Sequence, residues 1–231
     1  MSAILAIETS AELASAALLQ GELLLTRESA GGLTHSQTIL PMVQELLAQA
    51  GLRLDQCAAI GFGLGPGSFT GVRTACGIAQ GLAFGADLPV LPVVTLMAMA
   101  EACRTACGAS EVLAVLDARM GEVYWAQYRY QDGWQEVIAP CLSAPGAVSP
   151  QGPVQACGNG LSAYAAEFAA APYAAGALAA VMPHAADVAR LAAAAFAAGR
   201  GLPAAEAQPL YLRNNVALTI KERLAKAAAA A

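Results

Sequence analysis

The chain has 231 residues, of which 57% are hydrophobic and only 13% are charged, and its net charge at pH 7 is −5. Alanine supplies most of the apolar excess, and no run of about 18 strongly apolar residues predicts a membrane span. The acidic balance argues against a large nucleic-acid surface. The N-terminus lacks the basic start of a signal peptide. We therefore expect a cytoplasmic protein without membrane contact.

Apolar runs and turn residues predict the order β-β-β-α-β-α-β-α over the first 107 residues. Thr34 and Gln37 match a capping box, which predicts the start of the first helix. Pro41 lies inside that helix and is expected to kink it. The predicted elements are strands at 3–9, 14–19 and 22–27, a helix at 34–50, a strand at 58–64, a helix at 70–85, a strand at 88–94 and a helix at 95–107.

The order of elements then restarts. An apolar strand at 112–118 ends in Asp117-Ala118, much as the first strand ends in Glu8-Thr9. Strands at 122–130, 134–139 and 154–157 and helices at 162–169 and about 183–199 follow. This repetition predicts a duplicated α/β fold with lobes at 1–107 and 108–220, the last helix packing back on lobe one, and an alanine-rich tail at 221–231. A single doubly wound domain with an added meander is the alternative.

A glycine-rich turn at 65–73 joins the fourth strand to the second helix. Backbone amides at a helix N-terminus can bind an anion, which Arg73 would support. The turn lacks the lysine of a P-loop and the spacing of a dinucleotide loop. A structural role, in which Ser68 or Thr70 caps the helix, is at least as good. The residues of this turn that we single out are Gly65, Gly67, Ser68, Thr70, Gly71 and Arg73.

Small residues form one face of the second helix. Thr70, Thr74, Gly77 and Gly81 recur at helical spacing, and each interior glycine costs about 1 kcal/mol relative to alanine. Close approach of another helix would offset that cost. Spacing alone favours a partner within the chain, the usual origin of such a stripe.

Polar groups at the predicted strand ends are candidates for a ligand cleft. Glu8 could hold hydrated Mg²⁺, with Thr9 and Ser10 donating to phosphate. Alternatively, Thr9 and Ser10 only turn the chain into the hairpin, and Glu8 is solvated. In the second lobe, Asp117 and Arg119 could face the cleft or form a solvated pair. Gly158-Asn159-Gly160 could form a second phosphate- or adenosine-binding loop, although ordinary turns often have this sequence too.

The sequence holds no recognisable metal motif. The two histidines, His35 and His184, stand apart, and the six cysteines contain no CxxC pair. Cys103 and Cys107 are four residues apart on a predicted helix but lack a second cluster, so burial as small apolar residues is favoured.

Several motifs, in order and over nearly the whole chain, resemble the TsaB (YeaZ) family. The nonapeptide at 65–73 is the most specific of them, and the Gly-Asn-Gly loop is the weakest. The motifs are Leu5 to Ser10, Thr34-His35-Ser36, residues 65–73, Asp117 to Tyr124, Gly158-Asn159-Gly160 and Pro209 to Arg213.

The resemblance implies a two-lobed actin/Hsp70/sugar-kinase-like (ASKHA, ribonuclease H-like) fold and a role in forming N6-threonylcarbamoyladenosine in tRNAs that read ANN codons. Members pair with the TsaD transferase, a glycoprotease-like (M22) paralogue, and with the ATPase TsaE, or form a homodimer alone. They contact tRNA only indirectly. TsaD-type proteins carry an HxxxH metal pair, whereas Ile39 stands four residues after His35 here.

We therefore expect a non-catalytic scaffold with no metal, no protease activity and at most weak ATP or ADP binding in a degenerate cleft. An ATP-binding small-molecule kinase or ATPase is the alternative. The resemblance places the partner surface on helices 34–50 and 70–85, and so shifts the small-residue face toward an intermolecular contact. The interface residues it implies are His35, Thr70, Thr74, Gly77 and Gly81.

Overall fold

Two β-sheets organise residues 2–29 and 34–213, the part of the chain that the computed structural model describes. The first sheet has the strand order β3-β2-β1-β4-β5, in which β1 pairs antiparallel with β2 and parallel with β4. Its strands are β1 (Ala3–Glu8), β2 (Ser15–Gln20), β3 (Leu23–Glu28), β4 (Ala59–Gly65) and β5 (Val90–Val94).

The second sheet repeats this plan on four strands, with the order β8-β7-β6-β9. Strand β6 pairs antiparallel with β7 and parallel with β9, as β1 does with its neighbours. The strands are β6 (Glu111–Arg119), β7 (Glu122–Tyr130), β8 (Trp134–Ser143) and β9 (Gln155–Cys157). The predicted duplication is confirmed.

Helices cover the sheets in layers. The helices are α1 (His35–Ala50), α2 (Phe69–Ala86), α3 (Thr95–Cys107), α4 (Gly160–Ala163), α5 (Ala165–Phe168) and α6 (Ala185–Ala197). Apolar residues of α1 and α2 pack on one face of the first sheet, and α6 packs on the other. The helix predicted at 162–169 is split into the two short helices α4 and α5.

The two lobes exchange helices. Although α3 directly follows the first sheet in sequence, its buried residues Leu96, Met99 and Cys103 pack on the second sheet. In return α6 packs on the first sheet. The packing is close, because a Cβ added at Gly61 of β4 would lie only 2.8 Å from the Ala192 Cβ of α6. The predicted boundary at 107/108 follows the chain order, whereas packing assigns α3 to the second lobe and α6 to the first. The two helices contact each other between the sheets.

Local sequence sets the ends of α1. The Gln37 side chain accepts a hydrogen bond from the Thr34 backbone N–H at 3.1 Å, as half of the expected capping box. Gly51 ends the helix in the left-handed region at φ 66°. The helix is continuous through Pro41.

In the described residues no helix is both long and apolar enough to cross a bilayer. The alanine-rich tail predicted at 221–231 lies outside the described residues, as do positions 214–220.

Candidate functional site: a cleft beside an exposed helix face

The end of β1 and the glycine-rich turn are in direct hydrogen-bonded contact, although about 60 residues separate them in sequence. The Thr9 hydroxyl donates to the Gly71 carbonyl at 2.7 Å, and the Ser68 amide donates to the Ser10 carbonyl at 2.7 Å. A Cβ at Gly71 would collide with the Thr9 carbonyl, and one at Gly67 would lie 2.5 Å from the Ser10 carbonyl oxygen. These two glycines are therefore required by close backbone approach. We call this contact set, formed by Thr9, Ser10, Gly67, Ser68 and Gly71, the clasp.

Some of the backbone amides of the turn have partners within the protein, whereas those of Phe69 and Thr70 have none among the described residues. The Ser68 amide is taken by Ser10, the Gly71 amide donates to the Ser68 hydroxyl at 3.4 Å, and the Val72 amide donates to the Ser68 carbonyl. Ser68 is thus the N-cap of α2. The cap and the close contacts at Gly67 and Gly71 give the turn the structural role that was one of its two interpretations.

Glu8 is fully buried and does not reach the cleft. One of its carboxylate oxygens accepts from the Ser10 amide at 2.5 Å, and the other, packed against Gly63, has no hydrogen-bond partner in the described chain. Burial raises the pKa of Glu8 above its usual 4.5, and this outweighs the lowering by hydrogen bonding with Ser10. Because Glu8 is fully buried and lies outside the cleft wall, its carboxyl group is not placed to hold hydrated Mg²⁺ in the cleft, and the interpretation of Glu8 as a solvated side chain is wrong as well.

A cleft of about 710 Å³ lies between the lobes. It brings together predicted residues from both of them, while several others lie outside its wall. The predicted residues that line it are Ser10, His35, Gly67, Ser68, Arg73, Asp117, Arg119 and Asn159. Those that do not line it are Glu8, Thr9, Gly65, Thr70, Gly71, Gly158 and Gly160.

Asp117 organises the second-lobe wall of the cleft. Its carboxylate accepts from the Arg119 amide at 2.8 Å and from the Tyr164 hydroxyl at 3.1 Å, and it pairs with the Arg119 guanidinium at 3.1 Å. Arg119 also reaches across the cleft to Glu12 of the first lobe, at 3.4 Å. Arg119 and Met120 both have positive φ, 61° and 59°, which is costly for non-glycine residues.

The Gly158-Asn159-Gly160 loop is a packing feature more than a cradle. A Cβ at Gly158 would collide with the Val115 carbonyl, and one at Gly160 would lie 2.8 Å from the Val115 side chain. Asn159 alone faces the cleft, where its side-chain oxygen accepts from the Asp117 amide at 2.9 Å.

An aromatic and cationic cluster at the cleft mouth was not predicted from the motifs. The Arg73 guanidinium lies 3.7 Å from the Phe69 ring centroid, and its Nε donates to the Tyr211 hydroxyl at 2.7 Å. The rings of Phe69 and Tyr211 are 5.7 Å apart. Arg213 also lines the cleft. The sequence pointed to Tyr211 and Arg213 only through the family resemblance at 209–213, which assigned no role to either of these two residues.

The cleft is chemically mixed. Three arginines, Arg73, Arg119 and Arg213, share its wall with Glu12 and with Asp117. Methionine, leucine and aromatic side chains supply apolar surface between them. Such a cleft can accept a ligand that has a planar apolar group and negative charge.

The small-residue face of α2 points outward. Gly77 and Gly81 are exposed, and a Cβ added at either would meet no atom of residues 2–29 or 34–213 within 4 Å. Thr70 is exposed and Thr74 half-buried, with its hydroxyl on the Thr70 carbonyl. No helix of the described residues packs on this stripe, contrary to the internal packing that spacing alone favours. His35 lies apart from it, at the cleft, with Nε2 3.2 Å from the Glu12 carbonyl oxygen.

Potential metal ligands are scattered. Across 2–29 and 34–213, no three His, Cys, Asp or Glu side chains come close enough together to hold a metal ion. Cys103 is buried in the second-lobe core, and Cys107 donates to the Cys103 carbonyl within α3.

Two sheets around exchanged helices, with a polar cleft between lobes, define an α/β protein of the actin/Hsp70/sugar-kinase-like class. A family model described as "TsaD: tRNA N6-adenosine threonylcarbamoyltransferase" matches residues 29–230. The chain is 39% identical over 221 residues to "tRNA threonylcarbamoyladenosine biosynthesis protein TsaB" of Escherichia coli, covering 93% of this chain and 96% of that protein. It belongs to the TsaB (YeaZ) family. The Haemophilus influenzae protein of the same name is 42% identical, covering 92% of this chain and 94% of its own length.

Solved structures agree with this assignment. YeaZ from Pseudomonas aeruginosa superposes with a TM-score of 0.84 at 39% identity, covering 92% of this chain and 100% of that one. A crystal structure of a protein with similarity to peptidase YEAZ from the same organism gives 0.86 at 40% identity, with the same coverage.

Proposed function

We propose that this chain is a non-catalytic scaffold subunit for the formation of N6-threonylcarbamoyladenosine in tRNAs that read ANN codons. It pairs with a TsaD-type transferase and a TsaE-type ATPase, and meets tRNA only through that complex. Without the transferase, a second copy of the chain takes the same face. The family, whose curated relatives carry the name of this biosynthetic pathway, supports the proposal.

The outer face of α2 is the observation that carries the proposal. Gly77 and Gly81 leave the helix backbone open to close approach, and no other part of the described chain covers them. Phe84, 84% exposed, adds apolar surface at the C-terminal end of the same helix. Exposed Leu40 does so on the neighbouring α1. A helix pair from a partner with small residues of its own would bury this surface.

The proposal that the chain is non-catalytic rests on which metal-ligating residues it contains. TsaD-type proteins use an HxxxH metal pair, and the whole chain has only two histidines, His35 and His184. His35 donates to a backbone carbonyl at the cleft, and His184 caps α6 through its Nδ1. The two are therefore committed to separate structural contacts.

Co-expression with the TsaD and TsaE proteins of the same organism tests the proposal. We expect the three chains to co-purify, and tRNA modification by the reconstituted set to be lost when this chain is omitted. Full modification by the set without this chain would overturn the proposal.

The arginine-lined cleft favours one second candidate, an ATP-binding kinase or ATPase. Titration calorimetry of the isolated chain with Mg-ATP separates the two functions. Tight binding with ATP turnover would support the kinase or ATPase. No heat at millimolar nucleotide would support the scaffold.

A further inference from the structure

Residues 207–213 form a strap that starts on the first lobe and ends on the second. Ala207 is buried in the first-lobe core, and its carbonyl accepts from the Gln80 side chain of α2 at 3.0 Å. The Leu210 amide then donates to the Leu64 carbonyl at the end of β4, at 2.7 Å. Leu212 packs on the second-lobe core. The strap has no helix or strand of its own.

Arg213 fastens the end of the strap to the hairpin between β6 and β7. Its guanidinium donates to the Ala118 carbonyl at 3.0 Å, to the Arg119 carbonyl at 3.4 Å and to the Glu122 carboxylate at 2.6 Å. This is the hairpin in which Arg119 and Met120 have positive φ. Four consecutive strap residues, 210–213, also line the cleft.

The strap is the weakest of three places where the described chain passes between the lobes. At the start of α3, Thr95 is fully buried and its hydroxyl bonds to that of Ser10. At the start of α6, the Ala185 amide donates to the buried Ser15 hydroxyl at 2.9 Å. The Arg213 and Glu122 side chains are by contrast 17% and 37% exposed. Water can therefore replace their contacts when the strap leaves.

We propose that residues 207–213 are a latch on the cleft: Arg213 ties the two lobes together along one side of it, and release of Arg213 from the 118–122 hairpin widens the cleft without unfolding either lobe. The inference goes beyond the proposed function and does not depend on it. The strap covers the cleft whether the chain acts as a scaffold or as an enzyme.

Hydrogen exchange followed by mass spectrometry on the full chain tests the latch. Arg213→Leu keeps the apolar stem and removes the guanidinium, and Arg200→Leu removes an exposed arginine elsewhere as the matched control. We expect Arg213→Leu to speed exchange of the 207–213 peptide and of the 118–122 hairpin about tenfold, with β1 and residues 111–117 of β6 unchanged. Unchanged exchange in the strap, or equal acceleration in both sheets, would overturn the proposal.

Methionine oxidation by dilute peroxide gives a second readout, of cleft access. Met182 lines the cleft and is half-buried, Met120 is already 79% exposed, and Met99 is fully buried. Opening of the latch should speed oxidation of Met182 and leave that of Met99 unchanged; Met120 is not used as a reporter, because its sulfur lies 3.7 Å from Nη1 of Arg213 and loses that contact in the variant. Faster oxidation of Met99 as well would mean that Arg213 supports the core, and would refute the latch.

Discussion

Replacing Gly77 by leucine should change two properties of the chain in opposite directions. Gly77 lies in the middle of α2, and a Cβ added there would have no atom within 4 Å. Leucine is favoured over glycine in a helix interior by about 0.8 kcal/mol. The isolated chain should therefore become more stable by roughly that amount, which corresponds to an increase in Tm of about 2–3 °C for a chain of this size.

The same substitution should weaken pairing with a TsaD-type partner. A leucine side chain on the open stripe holds the two helix backbones apart, and overpacking of a close contact costs about 1–3 kcal/mol. Each 1.4 kcal/mol is about a tenfold change in Kd. We therefore expect affinity to fall by about tenfold or more while the stability of the isolated chain increases.

Thermal melts by circular dichroism and binding to immobilised partner measure the two effects on the same samples. Gly77→Ala tests size, because alanine gives the same gain in helix stability with far less bulk. Ala194→Leu, at an exposed position of α6, is the control for adding a leucine to a helix surface.

Two results would refute the reasoning. A fall in Tm for Gly77→Leu would mean that another part of the chain packs on the stripe. Unchanged partner affinity with a raised Tm would mean that the stripe is ordinary surface, and the glycines would then need a different explanation.

Three further predictions concern the clasp and the buried carboxyl. Gly71→Ala should lower the free energy of unfolding, measured in urea, by about 1–3 kcal/mol or more, since its methyl group meets the Thr9 carbonyl. Gly81→Ala on the open face should raise the free energy of unfolding by about 1 kcal/mol. Equal effects of the two substitutions would contradict the geometry. Thr9→Val removes a buried donor and should cost about 1–3 kcal/mol, and an unchanged urea midpoint would count against the clasp. Because the pKa of Glu8 is raised from 4.5 by burial, the folded chain keeps a proton that the unfolded chain releases, so stability should fall as pH rises from about 4.5 through the folded pKa. Glu8→Gln should abolish that fall, and parallel Tm–pH curves for the two proteins would argue otherwise.

Features that depend on neighbours in sequence were predictable. Gly51 at the end of α1 and the Thr34–Gln37 start follow from helix capping, which involves residues only a few positions apart. The matching strand ends at Glu8 and Asp117 revealed the duplication, because both lobes use the same antiparallel and parallel pairing around one strand.

Features that depend on distant residues were not predictable from spacing. The stripe on α2 has the periodicity of a buried face, and periodicity cannot distinguish packing inside the chain from packing against a partner. The packing of α3 on the second sheet leaves no trace in chain order. The contact of Arg73 with Tyr211 spans 138 positions.

The clasp explains why the family's most specific motif is rich in glycine without invoking a phosphate. Gly67 and Gly71 let the backbone of Thr9 and Ser10 lie directly on the turn, and so tie the start of α2 to the end of the central strand β1. Sequence spacing suggested a cradle because a phosphate loop and a close backbone contact both need glycine at a strand–helix junction. What identifies the close backbone contact here is that the atoms nearest to a Cβ at Gly67 or Gly71 belong to Ser10 or Thr9.

Helix α2 therefore contributes both to the cleft and to the exposed small-residue face. The first turn of α2 carries Phe69 and Arg73 into the cleft, and the next three turns carry Gly77 and Gly81 on the outside. Because the clasp fixes the position of that first turn, a substitution at Gly71 should disturb cleft and face together. Substitutions at Gly77 should affect the outer face alone, and those at Arg213 the cleft alone. Partner affinity and Met182 oxidation, measured on the same three variants, separate these cases: a Gly71 variant that altered only one of them would show that cleft and face are independent.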